Sequence, residues 1–134
     1  MQSTDEVWLL EDLDASRALG KHLANRMKSI KLLFLEGPLG AGKTSVVQGL
    51  AIALGINEPI TSPTFTLSQH YPNGKPPLIH IDLYRLEISQ DADSLFLQEE
   101  EEAQAIGAIL AVEWSNHLRL NISEAWQLKL TYES

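Results

Sequence analysis

The 134-residue chain contains no cysteine, so a disulfide framework, a thiolate metal site and thiol chemistry are all excluded. It also lacks long apolar runs, and no stretch approaches the roughly 20 apolar residues that a membrane-spanning helix needs. The first residues, Met1 to Glu6, are polar and acidic, whereas a secretory signal would be basic and then apolar. These absences favour a soluble protein of the cytoplasm.

Basic residues are scarce, and this limits the partners that the chain can bind directly. It has 10 Lys and Arg against 18 Asp and Glu, which leaves a formal net charge of −8. Because binding to phosphate backbones normally requires clustered Lys and Arg, we expect any nucleic acid to be handled through a partner protein. The hydrophobic content of 44% is enough for a core of ordinary depth, which predicts one domain over residues 1–134.

The hydrophobic pattern predicts alternating strands and helices. Helices are expected over Ser16 to Met27 and over Lys43 to Leu54, the second with Gly55 as its cap, while the charged stretch Asp91 to Glu102 is expected to be an exposed helix or loop. Strands are predicted at Val7 to Leu10, Ile30 to Leu35, Thr64 to Tyr71, Leu78 to Asp82, Ala108 to Val112 and Trp126 to Tyr132. These elements predict an α/β fold, a three-layer sandwich around a mainly parallel sheet with antiparallel terminal strands.

The glycine-rich segment between the second predicted strand and its helix, Gly37 to Thr44, fits the P-loop pattern. Small residues let backbone N–H groups turn inward around phosphate oxygens, and the following helix directs its positive end at the same anion. Lys43 adds a point charge for the terminal phosphates, and the Thr44 hydroxyl can reach a magnesium ion. The alternative is a glycine-rich turn that binds nothing, but the flanking strand and helix favour nucleotide binding. The predicted nucleotide-binding residues are Pro38, Leu39, Gly40, Ala41, Gly42, Lys43 and Thr44.

A magnesium ion requires more than one hydroxyl, so an acidic residue is expected at a strand end facing the same crevice. Asp82 and Glu113 each end an apolar run. We predict that Glu113 is the metal carboxylate and that Asp82 lies nearby and orients water. The alternative for either acid alone is a strand end facing solvent. Lys43, Asp82 and Glu113 are therefore the predicted catalytic residues.

Three other features have simpler interpretations from spacing alone. The segment Thr61 to Thr64 stands where many nucleotide switches sense the terminal phosphate, although a plain turn is the simpler interpretation. His80 lies inside an apolar strand, which favours a core histidine over a catalyst. The four acids Glu99 to Glu102 are expected to form a solvated face, and Trp114 is expected to pack beside a strand end.

Four segments together resemble the ATPase family of tRNA threonylcarbamoyladenosine biosynthesis, known as TsaE or YjeE. They are Leu35 to Thr44, Thr61 to Leu67, His80 to Leu86 and Val112 to Trp114, in family order. The resemblance implies a P-loop NTPase fold with ATP on the P-loop and magnesium held by Thr44 and Glu113. It also implies that Asp82 lies close to the nucleotide and that Ser62 and Thr64 belong to a switch-like loop.

The same resemblance implies partners and a role. The expected partners are the transferase subunit that modifies the tRNA and the non-catalytic paralogue of that subunit, with tRNA reached only through the complex. Hydrolysis of ATP, slow without partners, would reset that complex. The resemblance is interrupted at Leu95 to Gln98 and the acidic run after it, where family members usually carry a glycine-containing acidic and aromatic segment.

Two alternatives to an ATPase remain open at this point. A small-molecule kinase uses the same loop but needs an acceptor pocket and usually an arginine-bearing lid, for which few residues remain. A non-hydrolysing module, in which bound ATP merely stabilises a shape that a partner recognises, is hard to separate from a slow ATPase. A GTPase is disfavoured because the chain has no Asn-Lys-x-Asp sequence.

Overall fold

The computed structural model describes residues 8–38, 42–122 and 124–131. The helices are α1 (Leu13–Arg26), α2 (Lys43–Ala53) and α3 (Ser89–Ile106). The strands are β1 (Leu32–Glu36), β2 (Ser68–Tyr71), β3 (Leu78–Asp82), β4 (Ile109–Glu113) and β5 (Trp126–Lys129), and a short 3-10 helix follows β4 at Ser115–His117. Among the helices of the described ranges, none has both the length and the apolar character needed to cross a membrane.

The five strands form one sheet in the order β2-β3-β4-β1-β5. The three pairings β3 with β4, β4 with β1, and β1 with β5 are parallel, and β2 alone pairs antiparallel, with β3. The predicted α/β fold with a mainly parallel sheet is therefore confirmed. The crossover from β3 to the parallel strand β4 runs through α3, as is usual for parallel pairing, whereas the described chain between β4 and β5 contains only the short 3-10 helix.

The terminal strands differ from their prediction. β5 lies at the sheet edge, but it runs parallel to β1, with Trp126 beside Leu33, so its expected antiparallel direction is wrong. The alternating burial of β5 reflects its edge position and carries no information about direction. At the other end of the chain, the described part of the predicted strand Val7 to Leu10, residues 8–10, is not a strand.

The two faces of the sheet are covered by different helices, which confirms the three layers. Leu33 and Leu35 of β1 pack in one apolar cluster with residues of α1 and α2, whereas Leu32 and Phe34 pack in a second cluster with residues of α3. The side chains of a strand alternate between faces, so each central strand contributes to both clusters. This explains why β1, β3 and β4 appear in the sequence as nearly continuous apolar runs.

Two glycines allow α1 and α2 to touch backbone to backbone. A Cβ atom added at Gly20 would lie 2.0 Å from the carbonyl oxygen of Val46, and one added at Gly49 would lie 1.9 Å from that of Arg17. No real side chain fits at such distances. The contact brings α1 close to the first turns of α2, where Lys43 and Thr44 lie.

Helix α3 is less exposed than its charged sequence predicts. It buries Ala92, Phe96 and Glu99 against the sheet, and the Phe96 ring lies 6.0 Å from that of Phe34. Glu99 is only 6% exposed, so its assignment to a solvated face is wrong. Its carboxylate lies 2.8 Å from Nε2 of His70, and this pair links β2 to α3.

The start of α1 is capped by Asp12, whose Oδ1 accepts a hydrogen bond of 2.8 Å from the backbone N–H of Ala15. We expect Asp12→Ala to lower the free energy of unfolding by about 1 kcal/mol, because the N–H group loses its acceptor. Urea denaturation measures the change. Glu11→Ala removes the same charge next to the cap but leaves the capping acceptor in place, so equal losses in the two variants would contradict the capping role.

Candidate functional site

The two strand-end acids lie side by side at the carboxyl edge of the sheet. In the parallel pairing of β3 with β4, Asp82 is the register partner of Glu113. β1 lies on the other side of β4, with Leu35 beside Glu113, and the chain continues from β1 into the glycine-rich loop. Because parallel strands end at the same edge, the loop and both acids share one end of the sheet.

Lys43 joins this group as the first residue of α2 and is almost fully buried. Its ammonium group donates to the carbonyl oxygen of Gly37 and, at 3.4 Å, to that of Pro38. Burial lowers the pKa of Lys43 because it disfavours the charged form, while the negative charges of Glu113 and Asp82 act in the opposite direction. The three residues predicted as catalytic therefore interact electrostatically in one place.

The remaining loop residues are described in part. Gly42 caps α2 with φ of 99°, a left-handed conformation that favours glycine, and a Cβ there would lie 3.0 Å from Oγ of Ser16. Thr44 is half-buried in the first turn of α2, and Pro38 is exposed. The predicted nucleotide-binding residues Leu39, Gly40 and Ala41 lie outside the described residues.

The segment with Ser62 and Thr64 is a turn, but it also contacts the site. The Thr64 hydroxyl donates to Oδ2 of Asp82 at 2.8 Å and lies 2.8 Å from the Ser62 hydroxyl. The other oxygen of Asp82 accepts from the backbone N–H of Tyr84 at 2.9 Å. The simpler interpretation from spacing, a plain turn, therefore misses a direct link to Asp82, and the switch-like role of Ser62 and Thr64 stays a prediction.

β2, which follows this turn, is shorter than predicted, since it begins at Ser68 and not at Thr64. Residues 64–66 form the turn, and Leu67 then has φ of 69°, outside the extended region. The carbonyl oxygen of Leu67 accepts from the backbone N–H of Asp82. The first and the last of the four residues lost from the strand, Thr64 and Leu67, are thus the ones that contact Asp82.

His80 is the residue of the site that the sequence interpretation undervalued. It is fully buried, as expected of a core histidine, but its Nε2 lies 2.6 Å from Oε2 of Glu113. A signal for this contact exists in the sequence. His80 precedes Asp82 by two residues, and alternate residues of a strand share a face. His80, Asp82 and Glu113 therefore point to the same side of the sheet.

Trp114 does more than pack beside the end of β4. The ammonium group of Lys43 lies 4.7 Å from the centre of its ring, within the range of a cation–π contact, and the Tyr84 ring lies 4.9 Å away. Trp114 has φ of 60°, which is rare for a bulky residue and marks a constrained backbone. Its indole N–H is buried without a partner among the described residues.

The donors assembled here suit a magnesium ion in type. Within the described ranges, no group of three or more His, Cys, Asp or Glu side chains forms a ready metal cage. Magnesium does not require one, because it usually takes one or two carboxylates together with waters and substrate phosphates. Glu113 and the Thr44 hydroxyl have the required oxygen chemistry, and their binding of magnesium stays a prediction.

A cavity of about 620 Å³ lies at the opposite end of the sheet. It is lined by Lys31 before β1 and by Ala108 before β4, together with Glu100 of α3. None of the predicted site residues that the structure describes lines it. The candidate site is therefore defined by converging side chains at the carboxyl edge and not by this cavity.

Comparison with known proteins shows the family of the chain. The family model described as threonylcarbamoyl adenosine biosynthesis protein TsaE matches residues 10–134. Two relatives, both named tRNA threonylcarbamoyladenosine biosynthesis protein TsaE, come from Nostoc sp. and Synechocystis sp. The Nostoc protein is 44% identical, over 92% of this chain and 76% of its own length. The Synechocystis protein is 40% identical, over 88% of this chain and 75% of its own length.

A solved structure extends the comparison to the fold. The crystal structure of YdiB from Bacillus subtilis superposes with a TM-score of 0.70 at 30% identity, covering 92% of this chain and 74% of that one. The relatives and the structural neighbour thus share most of their length with this chain. The chain belongs to the TsaE family of threonylcarbamoyl adenosine biosynthesis proteins.

Proposed function

We propose that this protein binds ATP with magnesium at the loop Gly37 to Thr44, hydrolyses it slowly by itself, and supports threonylcarbamoyladenosine formation on tRNA. The observation that carries the proposal is the convergence on Lys43. Its ammonium group lies against the carbonyls of Gly37 and Pro38 and interacts with the charges of Asp82 and Glu113. A buried cation at a helix start, next to two strand-end acids, suits a phosphate-bound metal ion.

Each residue has a task that follows from its surroundings. Lys43 gives up its carbonyl partners for phosphate oxygens, and burial strengthens that interaction because water screens it less. Thr44 and Glu113 would hold magnesium, which would supply positive charge to offset the charge on the transferred phosphoryl group. Asp82, fixed by the Thr64 hydroxyl and the Tyr84 N–H, orients a water molecule.

The biological role is supported by family membership and by charge. The matched family and its curated members are named for threonylcarbamoyladenosine biosynthesis. With a net charge of −8, the chain is poorly suited to hold a tRNA backbone by itself. We therefore propose that it acts with the transferase subunit and the non-catalytic paralogue of that subunit, and that tRNA is reached through this complex.

Phosphate release by the purified protein tests the enzymatic part. We expect slow release from ATP in the presence of magnesium, faster release when the transferase pair is added, and none in EDTA. The Lys43→Ala variant, purified in parallel, identifies any contaminating ATPase. Absence of release both with and without the partners, or release that survives Lys43→Ala, would contradict hydrolysis and favour a non-hydrolysing assembly module.

A further inference from the structure

The contact between His80 and Glu113 joins two neighbouring strands on one face of the sheet. In the register of β3 with β4, His80 stands beside Ala111, and Glu113 stands beside Asp82. Ala111 carries only a methyl group, and the next residue on that face of β4 is Glu113. Nε2 of His80 lies 2.6 Å from Oε2 of Glu113.

Burial makes this contact energetically important. His80 is 0% exposed and Glu113 is 3% exposed, so neither side chain can rely on bulk water as a partner. A buried carboxylate requires hydrogen-bond donors, and an ionised carboxylate only accepts. With Glu113 ionised, as a magnesium ligand must be, the tautomer that carries its proton on Nε2 makes His80 the donor to one oxygen of Glu113. The other ring nitrogen, Nδ1, has no partner in the described part of the chain.

The oxygen atoms of the two acids are used differently. Both oxygens of Asp82 accept hydrogen bonds, one from Thr64 and one from the Tyr84 N–H. Glu113 engages only Oε2 among the described residues, so Oε1 is left for another ligand. Magnesium binds carboxylate oxygens, and Oε1 of Glu113 is the oxygen of this pair of acids that has no hydrogen bond from the described residues, so it is the one assigned to the metal.

We propose that His80 is a positioning residue that holds Glu113 in the orientation required for magnesium, without itself touching metal or nucleotide. This rests on the function proposed above. Removing a group that orients a metal ligand typically weakens metal binding by about 10–100-fold, so a loss of about that size is expected here. An apolar side chain at position 80 would satisfy the packing of β3, so packing alone does not require a hydrogen-bond donor there.

The test measures how much magnesium the protein requires to bind a nucleotide tightly, and it does not depend on catalytic activity. A non-hydrolysable ATP analogue is titrated by calorimetry into the purified full chain in EDTA, and the magnesium concentration for half-maximal tightening is then determined. For His80→Leu, which has no donor, we expect that concentration to rise by about 10–100-fold, with affinity in EDTA within about threefold of the wild type. His80→Gln, which keeps a side-chain N–H, should remain close to the wild type.

The matched control is His70→Leu, since His70 lies on β2 and contacts Glu99 of α3. It should leave the magnesium requirement unchanged. An unchanged requirement in His80→Leu, or an equal loss of affinity in EDTA and in magnesium, would overturn the positioning role. If His80→Leu does not fold, His80→Asn takes its place, because its shorter side chain holds the amide donor farther from Glu113. Equal magnesium requirements in His80→Gln and His80→Asn would then overturn the positioning role.

The wild-type titration separates this inference from the proposed function. If the wild-type chain binds no analogue, or binds it without regard to magnesium, the proposed function itself fails. If the wild type responds to magnesium and the His80 variants respond identically, only the role of His80 fails.

Discussion

Gly49→Ala is expected to destabilise the protein by about 3 kcal/mol or more, although alanine is the better helix former. The new Cβ would lie 1.9 Å from the carbonyl oxygen of Arg17 and 2.6 Å from its carbonyl carbon. These are backbone atoms of α1, so no side chain can rotate away. The helices must separate, and the cluster that includes Leu19 and Val46 loosens with them.

Urea denaturation checks this prediction, and the sign of the change in the free energy of unfolding distinguishes the two possible effects of the substitution. Helix propensity alone predicts that Gly49→Ala stabilises α2 by about 1 kcal/mol. Gly55→Ala is the matched control, because nothing lies within 4 Å of its Cβ position and its φ of +79° is left-handed. Strain there should cost about 1–2 kcal/mol. A Gly49 variant as stable as the wild type, or more stable than Gly55→Ala, would contradict the close helix contact.

Lys43→Ala is expected to abolish support of threonylcarbamoyladenosine formation in a reconstituted system with the transferase pair, tRNA and ATP. Loss of a single preorganised group that stabilises developing charge commonly lowers a rate by about 100-fold or more, which is background in such an assay. The reason lies in the position of Lys43, buried beside Asp82 and Glu113 under the Trp114 ring.

Lys21→Ala is the control for Lys43→Ala, since it removes the same charge from an exposed position on α1. Modification by this variant should equal that of the wild type. Thermal denaturation of both variants establishes that they are folded, and calorimetry with ATP shows whether binding or a later step is lost. Unchanged modification by a folded Lys43→Ala protein would mean that the chain does not act through this site.

The local sequence pattern is sufficient to predict those elements whose structure depends on their own residues. The predicted bounds of β3 match the observed ones, and those of β4 match to within one residue at each end, because a strand buried on both faces is a nearly continuous apolar run and each of these runs ends at an acid. Helix α2 follows from equally local chemistry, although its C-cap is Leu54 and not Gly55, which comes one residue later with a left-handed φ of 79°. From the strand ends alone, Asp82 and Glu113 could be predicted as partners of the glycine-rich loop.

Other features depend on which element lies next to which. Glu99 is buried where α3 packs against the sheet, with its carboxylate next to His70 of β2, and nothing in a run of four acids distinguishes it from the others. The requirement for glycine at position 49 comes from α1, more than thirty residues away. Local periodicity cannot report either contact, because each is created when separate elements pack.

By itself, the sequence determined the strands β1, β3 and β4, the helices α1 and α2, the glycine-rich pattern at Gly37 to Thr44 and the two acids that end β3 and β4. These depend on backbone preference and on burial, which neighbouring residues specify. Only the tertiary structure decided that β5 runs parallel to β1, that the turn at Thr64 reaches Asp82, and that His80 holds Glu113. The reason is physical: strand register and side-chain hydrogen bonds between elements arise from the packing of the whole sheet.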